Sequence, residues 1–142
     1  MSFMQGLFGN LTEVTPESLT QEYGMYLMND EKINVGFKLV RDVVLFTNKR
    51  IIDIDKQGAT GKKTRIDTIY LDTIIGVSAE TAGFGIDDSE ISIFYITSPY
   101  MKCTAGVSVS ERKFEFPKQY NMQSLYKWLQ ETAYVNHLKI NQ

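Results

Sequence analysis

Two stretches of this 142-residue chain carry residue types that bind phosphate or calcium, and each lacks a residue that the chemistry requires. Residues 58–64 (GATGKKT) look like a phosphate-binding loop, but Lys56 stands where that loop needs its first glycine. A strand pattern also follows, whereas a phosphate loop needs a helix whose N–H groups point at the anion. Residues 53–58 (DIDKQG) imitate the start of an EF-hand, but Thr64 occupies the twelfth position, where a bidentate glutamate belongs. We therefore interpret the two aspartates as solvated side chains on the polar face of a strand.

No catalytic or cofactor-binding set accompanies these motifs. Asp87, Asp88 and Glu90 offer carboxylate oxygens to a hard cation, but no base, nucleophile or oxyanion donor stands beside them. The single Cys103 excludes an internal disulfide and every multi-cysteine metal site. The single His137 excludes a histidine-rich metal centre, and its place near the end of the last helix suits the helix dipole. We expect no enzyme activity, no metal and no cofactor.

Composition and charge limit the classes of partner that the protein can bind. Apolar residues make up 43% of the chain and charged residues 23%, which is ordinary for a globular protein, and the formal charge is −2. A protein that binds the phosphate backbone of nucleic acid carries a strong basic excess instead. No aliphatic or aromatic run exceeds the length of residues 43–46 (VVLF), which is far shorter than the roughly 20 apolar residues of a membrane-spanning helix. We expect a cytoplasmic protein that binds no nucleic acid, with a membrane surface as a disfavoured partner.

The elements that would position the charged residues begin with an arm and a short helix. Residues 1–14 show no clear period, and we interpret them as an N-terminal arm in which Phe3, Leu7, Phe8 and Leu11 could form one helical stripe. Residues 15–17 (TPE) suit a helix start, since threonine caps free N–H groups and proline fits the first helical position. The helix should end near Met28. Residues 15–138 are predicted to form a single domain.

From residue 32 the apolar period changes from 3.6 to 2, which indicates half-buried strands. In the third of these, Ile52 and Ile54 share one face while Asp53 and Asp55 share the other. Residues 99–112 either extend a hairpin or form a loop, and the pattern leaves both open. The seven predicted strands are at residues 32–39, 43–47, 50–55, 62–70, 77–81, 90–97 and 113–116.

A second helix follows the strands. Asn121 is expected to cap a helix over residues 122–137. Since this helix comes last, it must cover a sheet that is already formed, where it can plug the open end of a sandwich or barrel. The prediction is a mainly β (α+β) fold of antiparallel strands between two helices. The apolar stripe of the last helix consists of Met122, Leu125, Leu129 and Ala133.

Charge is segregated along the sequence. Residues 38–65 have a local balance of +5, whereas residues 66–96 have a balance of −6 without a basic side chain. Opposite edges of one small fold would attract each other between copies, and such head-to-tail contacts close into a ring when the rotation permits. Alternatively, both blocks pair internally across neighbouring strands, and the sequence does not decide between the two. The candidates for self-contact are Lys49, Arg50, Lys62, Lys63 and Arg65 on one edge and Asp72, Glu80, Asp87 and Asp88 on the other.

An ordered set of short motifs resembles the bacterial pleckstrin-homology-like domains, and the resemblance covers roughly residues 13–135. It implies a partly open barrel of seven antiparallel strands in two nearly orthogonal sheets, capped by the C-terminal helix. The matching segments are residues 30–33 (DEKI), 37–42 (FKLVRD), 45–52 (LFTNKRII), 55–58 (DKQG), 60–63 (TGKK) and 80–83 (ETAG), followed by the acidic Asp87 and Glu90.

The resemblance also implies homo-oligomers, often rings, without established catalytic activity. Eukaryotic relatives of the fold often bind phosphoinositides through basic residues of the first hairpin. The leading hypothesis is a non-catalytic binding or scaffold module that self-assembles. One alternative is peptide binding by strand addition at an open sheet edge. The other is recognition of an anionic lipid or phospho-ligand through Lys38, Arg41, Lys49, Arg50, Lys62 and Lys63.

Overall fold

A computed structural model describes residues 12–38, 42–59, 62–81, 89–98, 106–116 and 120–142. The chain divides into two compact units at the Leu71–Asp72 bond. The first unit holds a sheet of five antiparallel strands in chain order, and helix α1 (Pro16–Tyr23) with a 3-10 turn at Gly24–Tyr26. Its strands are β1 (Thr12–Val14), β2 (Ile33–Lys38), β3 (Asp42–Thr47), β4 (Arg50–Gln57) and β5 (Lys63–Tyr70).

The second unit holds a sheet of three antiparallel strands and the long helix. A 3-10 turn at Leu71–Thr73 leads into this sheet. Its strands are β6 (Ile74–Glu80), β7 (Ser89–Ile96) and β8 (Val109–Phe116), and the helix is α2 (Gln123–Ile140). In the described residues, no helix combines the length and the apolar composition needed to cross a bilayer.

Helix α1 packs closely on the first sheet. The Thr15 hydroxyl accepts a hydrogen bond from the Ser18 amide, which confirms the predicted cap. Leu19 and Tyr23 then lie against the side of the sheet that carries Ile33, Val43, Leu45, Ile52 and Ile54. The approach depends on Gly36 of β2, because a Cβ atom at that position would overlap the Leu19 side chain.

Several element boundaries differ from the sequence prediction. Thr12–Val14, predicted as part of the arm, pair with Gly36–Lys38 as strand β1, and three residues are too few to show an alternating pattern. The rest of the arm, with its predicted helical stripe, lies outside the described residues. Helix α1 ends at Tyr23 instead of near Met28, because the chain tightens into the 3-10 turn.

Two strands and the helix of the second unit are also longer than predicted. Strand β6 begins at Ile74 instead of residue 77, and β8 begins at Val109, so the end of the uncertain segment 99–112 extends the hairpin. Residues 99–105 lie outside the described part of the chain, and Cys103 with them. Helix α2 runs three residues further than predicted, to Ile140. The N-cap residue is Met122, which makes no side-chain cap hydrogen bond, so the predicted cap at Asn121 is one residue too early. The Asn121 side chain nevertheless accepts a hydrogen bond from the Gln123 amide at 3.0 Å.

The buried side of α2 extends the predicted stripe by one polar residue. Leu125, Leu129 and Ala133 are buried as predicted, and Asn136 continues the same side. Its side-chain amide donates to the Ile74 carbonyl at the start of β6, at 2.8 Å. A helix residue thus satisfies a strand carbonyl, as buried backbone groups require.

The Gly36→Ala variant should destabilise the first unit by about 1–3 kcal/mol, because the added methyl group overpacks the contact between α1 and β2. Urea unfolding measures the change. Gly24→Ala is the matched control, since a Cβ there meets Thr20 at an ordinary 3.8 Å and the backbone already has helical angles. Equal stabilities of the two variants would contradict the close approach at Gly36.

Candidate functional site

A buried ion pair joins the loop before β2 to the first residue of β4. Arg50 Nε donates to Glu31 Oε2 at 2.9 Å, and Arg50 Nη2 donates to Glu31 Oε1 at 3.1 Å. The Glu31 side chain is 0% exposed and that of Arg50 is 11% exposed. Two further donations reach Thr68 Oγ1 at 3.0 Å and the Tyr26 carbonyl at 2.6 Å. Arg50 therefore ties together β4, β5 and the chain that follows α1.

Hydrogen bonds keep Glu31 ionised in spite of its burial. Burial works to raise the pKa of this carboxyl group, as it does for any desolvated acid. Donations from Arg50, from the Thr47 hydroxyl at 2.6 Å and from the Met28 amide at 2.8 Å outweigh it. The pKa of Glu31 is therefore lowered from its ordinary 4.5. We call these contacts the Glu31–Arg50 network.

Asn48, in the turn between β3 and β4, binds the loop before β2. Its side chain accepts from the Lys32 amide at 2.8 Å and donates to the Asp30 carbonyl at 3.0 Å. Asp30 has a positive φ of 61°, a conformation that aspartate tolerates better than most residues. Two of the motifs that carry the family resemblance, residues 30–33 and 45–52, thus meet in one structural contact.

The basic residues predicted to bind an anion are partly used inside the first unit. The guanidinium of Arg50 makes the internal contacts just described, so we leave it out of every proposed contact surface. Lys38 Nζ lies 2.9 Å from Glu22 of α1, and this exposed pair lowers the pKa of Glu22. Arg41 lies outside the described residues.

The lysines of this set are also far apart. Lys49 lies in the turn before β4, whereas Lys63 is paired with Gln57 at the other end of that strand. Seven residue steps at about 3.3 Å each separate the two ends by roughly 23 Å. Multi-phosphate binding needs several cations around one point, and the described residues do not provide that arrangement.

Strand β5 carries the basic residues that do lie together. It is the last strand of the five-stranded sheet, and Lys63, Thr64, Arg65 and Ile66 are exposed. Arg65 lies 3.1 Å from Asp67 on the same strand, with side chains 65% and 37% exposed, and such pairs contribute little energy. We call Lys62, Lys63 and Arg65 the basic edge.

The acidic residues gather on one side of the second sheet. Glu80 lies opposite Glu90 in the pairing of β6 with β7, and Glu90 lies opposite Glu115 in the pairing of β7 with β8. Two positions before Glu115 is Lys113, and Glu111 stands two positions before that, so all three side chains of β8 point to the same side. We call Glu80, Glu90, Glu111 and Glu115 the acidic face. Of the predicted acidic residues, Glu80 belongs to it, Asp72 is exposed in the 3-10 turn, and Asp87 and Asp88 lie outside the described residues.

A recess of about 360 Å³ lies in the acidic face. Lys113 Nζ lies 3.3 Å from Glu90 across it, and the pKa of Lys113 is raised, first by Glu90 and further by Glu111 and Glu115. Its lining residues are Ser78, Ala79, Glu80, Glu90, Ser92, Glu111 and Lys113. Sequence reasoning missed Glu111, Lys113 and Ser92, although the alternation E-K-E in residues 111–115 was a signal of one charged strand face.

A second group of carboxylates lies within the first sheet. Asp42 is directly opposite Asp55 in the β3–β4 pairing, and Asp53 lies two residues from Asp55 on the same side. The predicted division of β4 into an isoleucine face and an aspartate face is confirmed. The sequence pattern predicted solvated aspartates, whereas their side chains are half-buried in the structure. Burial, followed by the neighbouring Asp55 and Asp53, raises the pKa of Asp42 to about 6.

The described residues hold no group of histidine, cysteine, aspartate and glutamate side chains placed to bind a metal ion. The single histidine lies on α2, near its end, where its Nδ1 is 3.3 Å from the Asn141 side-chain amide. This position agrees with the capping role read from the sequence.

Comparison with known proteins places these features in a family. The family model described as bacterial PH domain matches residues 2–133. The protein YjqA of Bacillus subtilis (strain 168) is 44% identical over 94 residues, which are 66% of this chain and 75% of YjqA.

Solved structures agree with this match. A DUF1696 family protein with a pleckstrin-homology domain from Shewanella loihica is 30% identical, with a TM-score of 0.68 over 88% of this chain and 98% of that one. A pleckstrin homology domain from Shewanella amazonensis is 31% identical, with a TM-score of 0.58 over 93% and 98%. A PH domain protein from Exiguobacterium sibiricum, 21% identical with a TM-score of 0.65 over 87% and 62%, shares the fold. These matches confirm the predicted pleckstrin-homology-like fold.

Removal of one partner of the buried ion pair should be costly. Arg50→Ala leaves Glu31 charged and buried without its main partner, which we expect to destabilise the protein by about 3–5 kcal/mol. Urea unfolding gives the value, and Lys49→Ala in the same turn should change stability by less than about 0.5 kcal/mol. Thr68→Val, a milder variant that should keep the fold, removes one hydrogen bond and should cost about 1 kcal/mol. Wild-type stability for Arg50→Ala would contradict the structural role.

The raised pKa of Asp42 predicts a pH effect with an unusual sign. The folded state holds the proton up to about pH 6, whereas the unfolded state releases it near its ordinary 3.8. The contribution of Asp42 therefore becomes less favourable as the pH rises through this window. Asp42→Asn should raise stability at pH 7.5, by about 1 kcal/mol since the group is partly exposed, and leave it unchanged at pH 3.5. Thermal unfolding at both values tests this against the exposed control Asp72→Asn, and a gain that is the same at both would refute it.

Proposed function

This chain belongs to the bacterial PH domain family, and on that premise we propose that it is a non-catalytic scaffold module that associates with copies of itself through oppositely charged surfaces. The observation that carries the proposal is the charge that remains exposed after internal pairing. The basic edge stands at the end of one sheet and the acidic face on another, and the ion pairs Arg65–Asp67 and Lys113–Glu90 offset only part of their charge.

The internal contacts of the first unit sharpen this proposal. Arg50 and Lys38 are engaged with Glu31 and Glu22, so they contribute little to a contact between copies. Lys62 and Lys63, in contrast, are exposed and form no ion pair with the described residues. Lys49 is exposed as well, but it lies at the other end of β4, so we take the cluster at the start of β5 as the basic partner surface.

The acidic partner surface is correspondingly redefined. Glu80 and Glu111 are exposed, and Lys113 offsets part of the charge of Glu90. A contact between the basic edge of one copy and the acidic face of the next is head-to-tail. Such a contact repeats until it closes into a ring or continues as a filament.

A second candidate function rests on the position of β5. As the end strand of its sheet, with its first four residues exposed, β5 offers backbone groups to an added strand. The basic side chains beside it favour an extended acidic peptide. This role predicts a monomer whose β5 amide resonances shift when a polyglutamate peptide is added.

The self-association proposal predicts an oligomer that salt weakens. Native mass spectrometry and light scattering at about 50 µM protein should give a mass above the monomer in 50 mM salt and a smaller one in 500 mM salt, because the contacts are exposed charges. Reversal of the basic edge (K62E, K63E, R65E) should yield monomers. Reversal of the acidic face (E80K, E111K) should do the same.

A mixture of the two reversed variants provides the decisive arm. Each reversed surface then faces a complementary one, so the mixture should associate although neither variant does alone. The control reverses two lysines on the exposed side of α2 (K127E, K139E), a charge change of the same sign as the reversal of the basic edge, and should keep the wild-type mass. A strict monomer in low salt, or an oligomer that neither reversal disturbs, would overturn the proposal.

A further inference from the structure

The recess in the acidic face contains an unused hydrogen-bonding group. Ser92, at the centre of the middle strand, is 6% exposed and lines the recess. Its side chain forms no hydrogen bond with the described residues, although Ser78 and Lys113 lie directly opposite on the neighbouring strands. The buried side-chain atoms without a hydrogen-bond partner in the described residues are Tyr23 Oη and Ser98 Oγ, so the Ser92 hydroxyl is open to the recess. It is therefore available to a ligand that enters there.

The charge of the lining selects the ligand. Three glutamates face one lysine, so the recess is net negative and repels phosphates and carboxylates. Lys113 forms an ion pair with Glu90, so Glu80 and Glu111 are the carboxylates left to bind a ligand in the recess. A bare metal ion is a poor fit, since the lysine ammonium stands inside the site and no metal-binding set exists among the described residues.

We propose that this recess binds an organic cation, an ammonium or guanidinium group, between Glu80 and Glu111, with the Ser92 hydroxyl accepting one of its N–H bonds. A volume of about 360 Å³ lies at the lower end of the range for small-molecule pockets, about 300–1,000 Å³. That is ample for one alkylammonium or guanidinium group with its hydrocarbon stem. Donations of this kind to carboxylates are charge-assisted and stronger than neutral hydrogen bonds.

Two sources supply such a cation. A free polyamine such as spermidine carries ammonium groups on a flexible chain. A second copy of this chain carries Lys62, Lys63 and Arg65 on its basic edge, and this source rests on the self-association proposed above. The recognising chemistry is the same for both, so the binding site is tested first and the source second.

The binding test uses the full chain labelled with ¹⁵N and spermidine as the probe. Spermidine should shift the amide resonances of Ser78, Ser92 and Glu111 saturably in low salt. The double variant E80Q/E111Q should weaken this binding by about fivefold or more, since it removes two charge pairs. Ser92→Ala, a small change in a buried position, should weaken it by about twofold or more.

The matched control separates a site from general attraction. E17Q/E131Q alters the net charge equally at two exposed helix positions that do not line the recess, and it should bind spermidine as the wild type does. Equal weakening by this control, shifts spread over the whole surface, or no saturable shift in any sample would overturn the proposal.

The variant with the reversed basic edge (K62E, K63E, R65E) tests whether the bound cation is a free polyamine or belongs to a second copy of the chain. If the second copy fills the recess, spermidine competes with association, and the recess resonances of the reversed variant differ from those of the wild type before any spermidine is added. If the recess serves a free cation, spermidine binds both proteins equally and their masses do not change. The second result supports the recess even where self-association fails, so the two proposals fail separately.

Discussion

The bidentate pair between Glu31 and Arg50 is the contact on which the first unit depends. A carboxylate that is 0% exposed is tolerable only because four donors surround it, and two of them come from one guanidinium. That guanidinium in turn holds Thr68 of β5 and the Tyr26 carbonyl. The pair therefore fixes the β3–β4 turn, the end of β5 and the chain after α1 relative to one another.

This constraint also decides which charges are left for function. A guanidinium buried with its carboxylate is costly to expose, so Arg50 cannot also serve a partner without losing its internal contacts. Of the predicted basic residues, Lys62, Lys63 and Arg65 remain exposed near the start of β5, and Lys49 remains exposed in the turn before β4. Basic residues that are close together in the sequence therefore have different roles in the sheet. Arg50 stabilises the fold, whereas Lys62 and Lys63 remain exposed to a partner.

The sequence predicted what depends on local pattern. The threonine and proline at 15–16 and the stripe Leu125, Leu129, Ala133 each act within one element, and the structure confirms them. The alternation in residues 33–38 correctly predicts a strand, but a register shift between Ile33 and Val35 breaks the predicted division into faces, and Gly36 is buried against α1. Strand β1 escaped because three residues have no visible period. The role of Arg50 escaped because its partner Glu31 is 19 residues away, and spacing along the chain says nothing about pairs across strands.

The candidate site follows the same rule. Glu80 could be selected from local charge, but the recess needs Glu111 and Ser92 from two further strands, and their meeting depends on the register of β6, β7 and β8. The described parts of the motifs that look most like chemistry, residues 53–58 and 58–64, lie at the end of β4 and the start of β5, which pair with each other. The aspartates of the first motif act instead on Asp42 of the neighbouring strand, whose pKa burial, Asp55 and Asp53 raise to about 6.

The two groups of carboxylates show why one suits a ligand and the other does not. In the first sheet, Asp42 and Asp55 are close and half-buried, and the raised pKa of Asp42 means that this group takes up a proton below about pH 6. In the second sheet, Lys113 lies 3.3 Å from Glu90, while Glu80 and Glu111 remain exposed. Exposed carboxylates around a recess, with the Ser92 hydroxyl beside them, present negative charge that an incoming cation can reach. The half-buried pair of the first sheet is less accessible, so the acidic face is the surface better placed to bind a cation.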